Sequence, residues 1–256
     1  MNVYFLGTGT SQGIPVIGSE HPVCLSTNVR DKRLRVSLWI KTEHESIVID
    51  CGPDFRQQML SSQCTTLDAI LFTHEHSDHT AGLDDIRPFS LKFGPTQLFC
   101  SKRVHLNLKK RFDYIFETEN KYPGAPSVIV TEIENNIPFY VGTTKVIPIN
   151  AWHGTLPILG FRIKDFVYLT DVKSIEKEAL DQLMGVKVLV INALRITEHH
   201  AHFNLQEALE FVNLLQPEKA YLTHISHLLG FHDEVEKCLP KNVFLAHDNL
   251  NIEIVD

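Results

Sequence analysis

Three imidazoles and a carboxylate fall within six residues, at His74, His76, Asp78 and His79, directly after the apolar run Leu67-Asp68-Ala69-Ile70-Leu71-Phe72. Packing has no use for such a set. Neutral imidazole and carboxylate are ligands for zinc, manganese and iron. On an extended or loosely turned segment His74 and His76 point the same way, because side chains alternate with period two. Asp78 and His79 fall on the next turn, where a helix can begin, and can reach a second ion. The segment reads as a metal-binding loop.

A site built from one short segment is incomplete, so further donors are expected at strand ends. His153 follows the strand-like stretch 144–150, Asp171 ends Phe166-Val167-Tyr168-Leu169-Thr170, and His224 ends Ala220-Tyr221-Leu222-Thr223. Any one alone reads as a capping or hydrogen-bonded residue. Together with the first cluster they read as ligands converging on one rim of a β-structure.

The elements that must position these groups are mostly short strands. Apolar runs and alternation predict them over 2–6, 34–41, 46–50, 68–73, 97–100, 128–133, 144–150, 158–163, 166–170, 186–192, 219–223 and 251–255. Helices are predicted over 53–60, 103–112, 175–183 behind Ser174 as N-cap, and 205–215 behind Asn204. In the last, Leu205, Ala208, Leu209, Val212 and Leu215 make one apolar face. Strands in meandering pairs with helices inserted in both halves predict an α+β fold, two sheets face to face with helices outside. Tyr122-Pro123-Gly124-Ala125-Pro126-Ser127 resembles a linker. Motif residues lie on both sides of it, so it reads as a loop inside one domain, residues 1–256.

A chain of 256 residues that is 43% hydrophobic and 21% charged buries a core without disulfide staples. Its net charge of −7 argues against a large basic platform for duplex or transfer RNA. A small phosphorylated substrate remains compatible, because bound divalent ions supply local positive charge. Residues 1–7 lack the features of a signal peptide and no stretch has the apolar length to span a bilayer, so a cytoplasmic protein with no membrane partner is expected. Five widely spaced cysteines with no CxxC pair predict reduced, mostly buried thiols. A homodimer is compatible with the sequence, which does not set the oligomeric state.

The pattern His74-x-His76-x-Asp78-His79, followed by His153, Asp171 and His224, resembles the metallo-β-lactamase superfamily. The resemblance runs from Leu6-Gly7-Thr8-Gly9 through Ile47-Val48-Ile49-Asp50-Cys51-Gly52 to the last of these histidines. It implies a four-layer αββα sandwich with two divalent ions, zinc, manganese or iron, at one edge. It implies that His74, His76 and His153 hold the first ion and that Asp78, His79 and His224 hold the second. Asp171 would bridge them, and Asp50 would orient the ligand loop through hydrogen bonds. Two ions about 3.5–4 Å apart would acidify a water into a nucleophile and stabilise charge on the substrate oxygens, with Asp78 counted among the catalytic residues.

Within the superfamily, several β-lactamases carry Cys where Asp171 stands, which turns expectation away from antibiotic hydrolysis. His153-Gly154-Thr155-Leu156-Pro157-Ile158-Leu159-Gly160-Phe161, Leu222-Thr223-His224-Ile225-Ser226-His227 and Gly7-Thr8-Gly9-Thr10-Ser11 resemble the PhnP-like phosphodiesterases. Ribonuclease Z relatives carry a transfer-RNA-gripping arm between the third and fourth motifs, whereas only a short strand pair separates His153 from Asp171 here. The resemblance places His202 where these enzymes keep a His that contacts the phosphate or protonates the leaving oxygen, a role that suits imidazole. The implied activity is hydrolysis of a small cyclic or activated phosphodiester. Its rivals are ester, lactone or thioester hydrolysis at the same site, and a non-hydrolytic accessory role.

One segment departs from the pattern. PhnP-like proteins often place C-x-C-x-x-C after the first strand and, with a later His, hold a structural zinc. Here Ser19 and His21 replace two of the thiolates, leaving His21, Cys24 and His227 as a mixed donor set for an additional zinc. The stretch from Gly7 to Gly13 reads as a phosphate cradle or a tight turn. Arg30-Asp31-Lys32-Arg33-Leu34-Arg35 reads as a solvated, basic strand entry, and His44, His105, His232 and His247 show no partner.

Overall fold

The computed structural model describes residues 1–254. Its strands are β1 (Asn2–Gly7), β2 (Ser37–Lys41), β3 (Ser46–Ile49), β4 (Ala69–Leu71), β5 (Thr96–Cys100), β6 (Val128–Glu132) and β7 (Phe139–Val141). They continue as β8 (Thr144–His153), β9 (Leu156–Ile163), β10 (Phe166–Leu169), β11 (Val188–Asn192), β12 (Lys219–Thr223), β13 (Val243–Leu245) and β14 (Asn251–Glu253). One sheet has the order β14-β1-β2-β3-β4-β5-β6 and the other β13-β12-β11-β10-β9-β8-β7. The strand expected over 251–255 ends earlier, and its last residue, Val255, lies outside the described residues.

Alternation along the strands builds the layers. In β2 and β3, Leu38, Ile40, Ile47 and Ile49 point inward to meet Phe161, Phe166 and Tyr168 of the second sheet. Trp39 and Val48 point outward, against a helical layer that contains Phe55, Met59, Val104 and Leu108. In β10, Val167 and Leu169 face outward onto Ala208, Val212 and Leu215 of the helix Leu205–Leu215. Each fully buried side chain of this size contributes about 1.5–3 kcal/mol. Helix, sheet, sheet and helix make the expected four layers.

Parallel pairing aligns the strand ends. β3 through β6 run parallel to one another, as do β10 through β13. Helices Phe55–Ser62, Lys102–Arg111 and Leu205–Leu215 supply three of the six crossovers that such pairing requires, and shorter helices lie in the others. The C-terminal ends of β3, β4, β10 and β12 therefore share a rim, and loops at such ends carry the chemistry of many α/β sheets.

Several expectations shift. Asn204 caps its helix with a full capping box, its side chain accepting from the Glu207 amide while Glu207 accepts from the Asn204 amide. Ser174 does not cap, because its backbone pairs with Trp152, and the helix behind it shrinks to Lys177–Leu180. β7 and β13 were hidden in mixed polar sequence. Four cysteines are buried, Cys238 is exposed and all five are free. No helix among the described residues is long and apolar enough to cross a membrane.

Candidate metal centre

Three of the residues that feed the rim sit where L-amino acids rarely do. Asp50, Asp171 and His224 follow β3, β10 and β12 with φ of 62°, 60° and 53°. A left-handed residue turns the chain sharply off the sheet and costs about 1 kcal/mol or more, so its recurrence at three strand ends marks a functional rim. Close packing braces the same place. The Cys51 amide donates to the His79 carbonyl at 2.9 Å, and a Cβ on Gly52 would stand 2.0 Å from the Asp78 carbonyl oxygen. Only glycine lets the loop after β3 lie against the turn Ser77–Thr80.

Asp50 is fully buried and does not join the donors themselves. Its Oδ1 accepts from the Thr73 amide at 2.9 Å, and its Oδ2 accepts from Thr73 Oγ1 at 2.8 Å and from His79 Nδ1 at 2.7 Å. With Nδ1 protonated, His79 presents a bare Nε2, which lies 3.1 Å from Asp78 Oδ2 and 3.3 Å from Asp171 Oδ2. Thr73 Oγ1 has spent its proton on Asp50, so at 3.0 Å it accepts from His74 Nδ1 and fixes that tautomer too. His153 Nδ1 donates to the Ala201 carbonyl at 2.7 Å. Each ring is turned so that its free nitrogen faces a common space.

The donors gather in overlapping groups whose ligand atoms lie within 4.8 Å of one another: His74, His76 and His153; then Asp78, His79, Asp171 and His224. A third group joins His153, Asp171 and His202. His224 Nε2 is 3.1 Å from Asp171 Oδ1, and His202 Nδ1 is 3.6 Å from the same oxygen. The structure thus brings together all seven residues expected as ligands, and adds His202 at their edge.

Charge explains what such a set is for. Burial works to raise the Asp171 carboxyl, yet His224 and His79 outweigh it and hold it well below the usual carboxylate range. Asp78 is likewise held far down against burial, by His79 and His224. Burial opposes charge on His79 as well, but Asp78, Asp171 and Asp50 overcome it and push its pKa well up. Burial then drives His74 well below its ordinary value, His79 adding to the effect, and lowers His76, His153 adding there. Asp78 and Asp171 keep their charge while His74 and His76 resist protonation, so of these groups His79 alone is pushed towards the positive form and the pocket stays short of positive charge. His79 Nε2 and both ring nitrogens of His224 are buried without a hydrogen-bond partner. Orphaned nitrogens aimed at carboxylates fit divalent cations, and leave the choice among zinc, manganese and iron to the ion supplied.

The other candidate donors behave differently. His21 and His227 meet edge to face with ring centroids 4.9 Å apart, but Cys24 Sγ accepts from the Val16 amide, and the trio is not among the convergent groups of the described residues. His21 Nδ1 is occupied in capping the turn Pro22–Leu25, and Cys24 packs with Ile14 and Val23. Thr8, within the suspected phosphate cradle, is buried and donates to Asp248. Arg33 is also buried, donating to Thr8 Oγ1, to the Ala246 carbonyl and toward His232 Nδ1. The expected solvated strand entry is therefore corrected at Arg33, and His232 has a partner. Sequence reasoning passed over Thr73, whose position before His74 was its only signal. It also passed over Lys173, two residues beyond Asp171.

Known proteins agree with this geometry. The model of the beta-lactamase superfamily domain matches residues 45–225. The crystal structure of a new diphosphatase from the PhnP family superposes with a TM-score of 0.92 at 34% identity, covering 99% of this chain and 98% of that one. Zinc-bound PqqB from Methylobacterium extorquens shares the fold, with a TM-score of 0.83 at 16% identity over 99% of this chain and 100% of the other. An octanoyltransferase of Porphyromonas gingivalis (strain ATCC BAA-308 / W83) is 38% identical over 252 residues, 98% of this chain and 51% of that protein. The chain thus spans about half the length of that curated relative. It belongs to the metallo-β-lactamase superfamily, in its PhnP-like branch.

Proposed function

We propose that the chain is a dinuclear-metal hydrolase directed at phosphorus, acting on a small cyclic or otherwise activated phosphodiester. The observation that carries the reading is the pair of donor groups joined through Asp171, with buried imidazole nitrogens left open. His74, His76 and His153 would hold one ion, Asp78, His79 and His224 the other, and Asp171 would touch both. Bound there, the ions would acidify a water and neutralise charge on the substrate oxygens.

The chain's own residues supply the rest. Asp50 and Thr73 fix the tautomers of His79 and His74. The Ala201 carbonyl does the same for His153 and ties the segment carrying His202 to the rim. Burial lowers His202 to a pKa of about 3, against the pull of Asp171. Its ring is neutral at pH 7 and acts first as a hydrogen-bond donor to the substrate. An anionic phosphoester alongside raises its proton affinity, which is the condition for passing a proton to the leaving oxygen as the bond from phosphorus breaks.

Similarity to a diphosphatase along almost the whole chain supports phosphorus over carbon. The direct hairpin β8–β9 and strand β10 between His153 and Asp171, with the net charge of −7, support a small substrate over transfer RNA. The free, mostly buried cysteines suit a cytoplasmic setting. A second reading, ester or thioester hydrolysis, is favoured by the name of the octanoyltransferase relative. The test is turnover by the zinc- or manganese-loaded protein of bis-p-nitrophenyl phosphate, 2′,3′-cyclic nucleotides, a lactone and a thioester. Phosphodiester cleavage is expected. Lactone or thioester cleavage without it would overturn the proposal.

A further inference from the structure

Arg33 is the one arginine or lysine that is buried among the described residues. Its guanidinium joins three distant parts of the chain. Nη1 donates to Thr8 Oγ1 at 2.7 Å and to the Ala246 carbonyl at 2.6 Å, and Nη2 lies 3.0 Å from His232 Nδ1. Burial, with Arg33 alongside, lowers His232 to a pKa of about 4, so its ring is neutral at pH 7 and Nδ1 can accept. Thr8 passes its own proton on, donating to Asp248 Oδ1 at 2.7 Å, while Asp248 Oδ2 accepts from the Leu34 amide at 2.7 Å. Burial lowers Arg33 to about 10 against the pull of Asp248, Asp31 and Glu236, which leaves it charged at pH 7. Apolar side chains of similar volume often stabilise a fold as well as a buried ion pair does, so stability alone does not account for this cluster.

Thr8 opens the stretch 8–10, which runs between two other segments. On one side the Gly9 amide donates to the Leu34 carbonyl at 2.8 Å, and the Gly9 carbonyl accepts from the Val36 amide at 3.0 Å. On the other, the Thr8 carbonyl accepts from the Ile225 amide at 2.9 Å, and the Thr10 amide donates to the Ile225 carbonyl at 3.0 Å. Both main-chain polar groups of the residue after His224 are thus gripped by this stretch. His224 has particular need of that grip, because its φ is 53° and its ring has no outer support. The rings of His79, His74 and His153 are turned by Asp50, Thr73 and the Ala201 carbonyl in that order. Neither ring nitrogen of His224 has a hydrogen-bond partner, so its main chain and packing must aim the ring.

We propose that Thr8, Arg33 and Asp248 are positioning residues for the ion held by Asp78, His79 and His224, acting through the main chain at Ile225. The inference rests on the dinuclear reading above. Zinc is withdrawn from loaded wild type and variants by a chelator, two successive affinities are fitted, and spectra of nitrogen-labelled histidines show which rings each ion takes. Thr8→Val keeps the side chain's shape and removes the hydroxyl. It is expected to weaken the His224 ion by about 10–100-fold and the ion on His74, His76 and His153 by less than about twofold. Thr8→Ser restores the hydroxyl and should bring both affinities to within about threefold of wild type. Asp248→Asn should give the same selective loss, which keeps the test decisive if Thr8→Val does not fold. A second readout needs no metal: in the metal-free protein the Ile225 amide should exchange with solvent about tenfold faster or more in Thr8→Val, and near the wild-type rate in Thr8→Ser. Equal weakening of both ions is what a general loss of stability produces, and it overturns the proposal. Wild-type affinities in folded Thr8→Val and Asp248→Asn, no rescue by Thr8→Ser, or unchanged Ile225 exchange overturn it too. Wild type that takes up no zinc would instead strike the metal-centre reading, and the Ile225 exchange rates then support or overturn the link to His224 by themselves.

Discussion

The two ends of β8 both carry buried carboxylates, and they treat them in opposite ways. At the Thr144 end, Glu45 Oε1 accepts from the Thr143 amide and hydroxyl at 2.6 and 2.8 Å, and Oε2 from Thr42 and Thr144 hydroxyls at 2.6 and 2.7 Å. Burial works to raise this carboxyl, but the hydrogen bonds from Thr42, Thr143 and Thr144 hold its pKa at about 2. At the His153 end, roughly 30 Å away along the strand, Asp78 and Asp171 face imidazoles whose nitrogens lack hydrogen-bond partners. One cluster is closed and complete. The other is held open by a frame that leaves its lone pairs unspent. A buried polar group that stabilises a fold ends its hydrogen bonds inside the protein, whereas one that serves chemistry aims its donor atom at a point shared with others.

The largest effect should come from the open end. Asp171→Asn keeps the side chain's shape and tolerates φ of 60°, yet removes the charge that joins the two donor groups. Turnover of the best substrate should fall by about 1000-fold or more, with metal content below that of wild type by elemental analysis. Full metal occupancy and wild-type turnover would break the contrast between the two ends. Asp50→Asn should act more mildly, weakening metal affinity by about 10–100-fold in a chelator competition, because it loosens the His79 ring without removing a donor.

The smallest effect belongs to the closed end. Glu45→Gln should lower stability by about 2 kcal/mol at pH 7 in urea unfolding, with metal content retained. Because Glu45 has a folded pKa below its ordinary value of 4.5, its contribution is fully present above that pH and is lost as pH falls towards about 2. The gap between wild type and variant should therefore narrow over that window. A gap that widened on acidification would show that the threonine cage does not stabilise the charged form.

Much of the open end was legible in the sequence. Histidines and aspartates placed at the ends of apolar runs have no packing role, and strand periodicity aims them at one rim, so His74, His76, Asp78, His79, His153, Asp171 and His224 could be named from position alone. What was not legible depends on partners far along the chain. Arg33 reads as surface because its neighbours are charged, but it is buried by His232 and Ala246, about 200 residues away. Lys173 carries no signal of its own in the sequence, and only its long-range contacts with Trp152 and Glu207 place it beside the rim. Short strands such as β7 and β13 are set by pairing and not by their own pattern, and Ser174 loses its capping role to a long-range backbone contact.

The rim is also where the two sheets are stitched together. The Leu159 amide of β9 donates to the Thr73 carbonyl at 3.0 Å, and the Ile225 amide donates to the Thr8 carbonyl at 2.9 Å. The four-member donor group draws on both halves of the chain, from Asp78 and His79 to Asp171 and His224. During synthesis the histidine-rich loop leaves the ribosome long before Asp171 and His224 exist to meet it. A nascent chain can therefore offer only part of the donor set, and ions held by the whole set would enter after both sheets have docked. Uptake of metal at the whole set would then report the completion of folding.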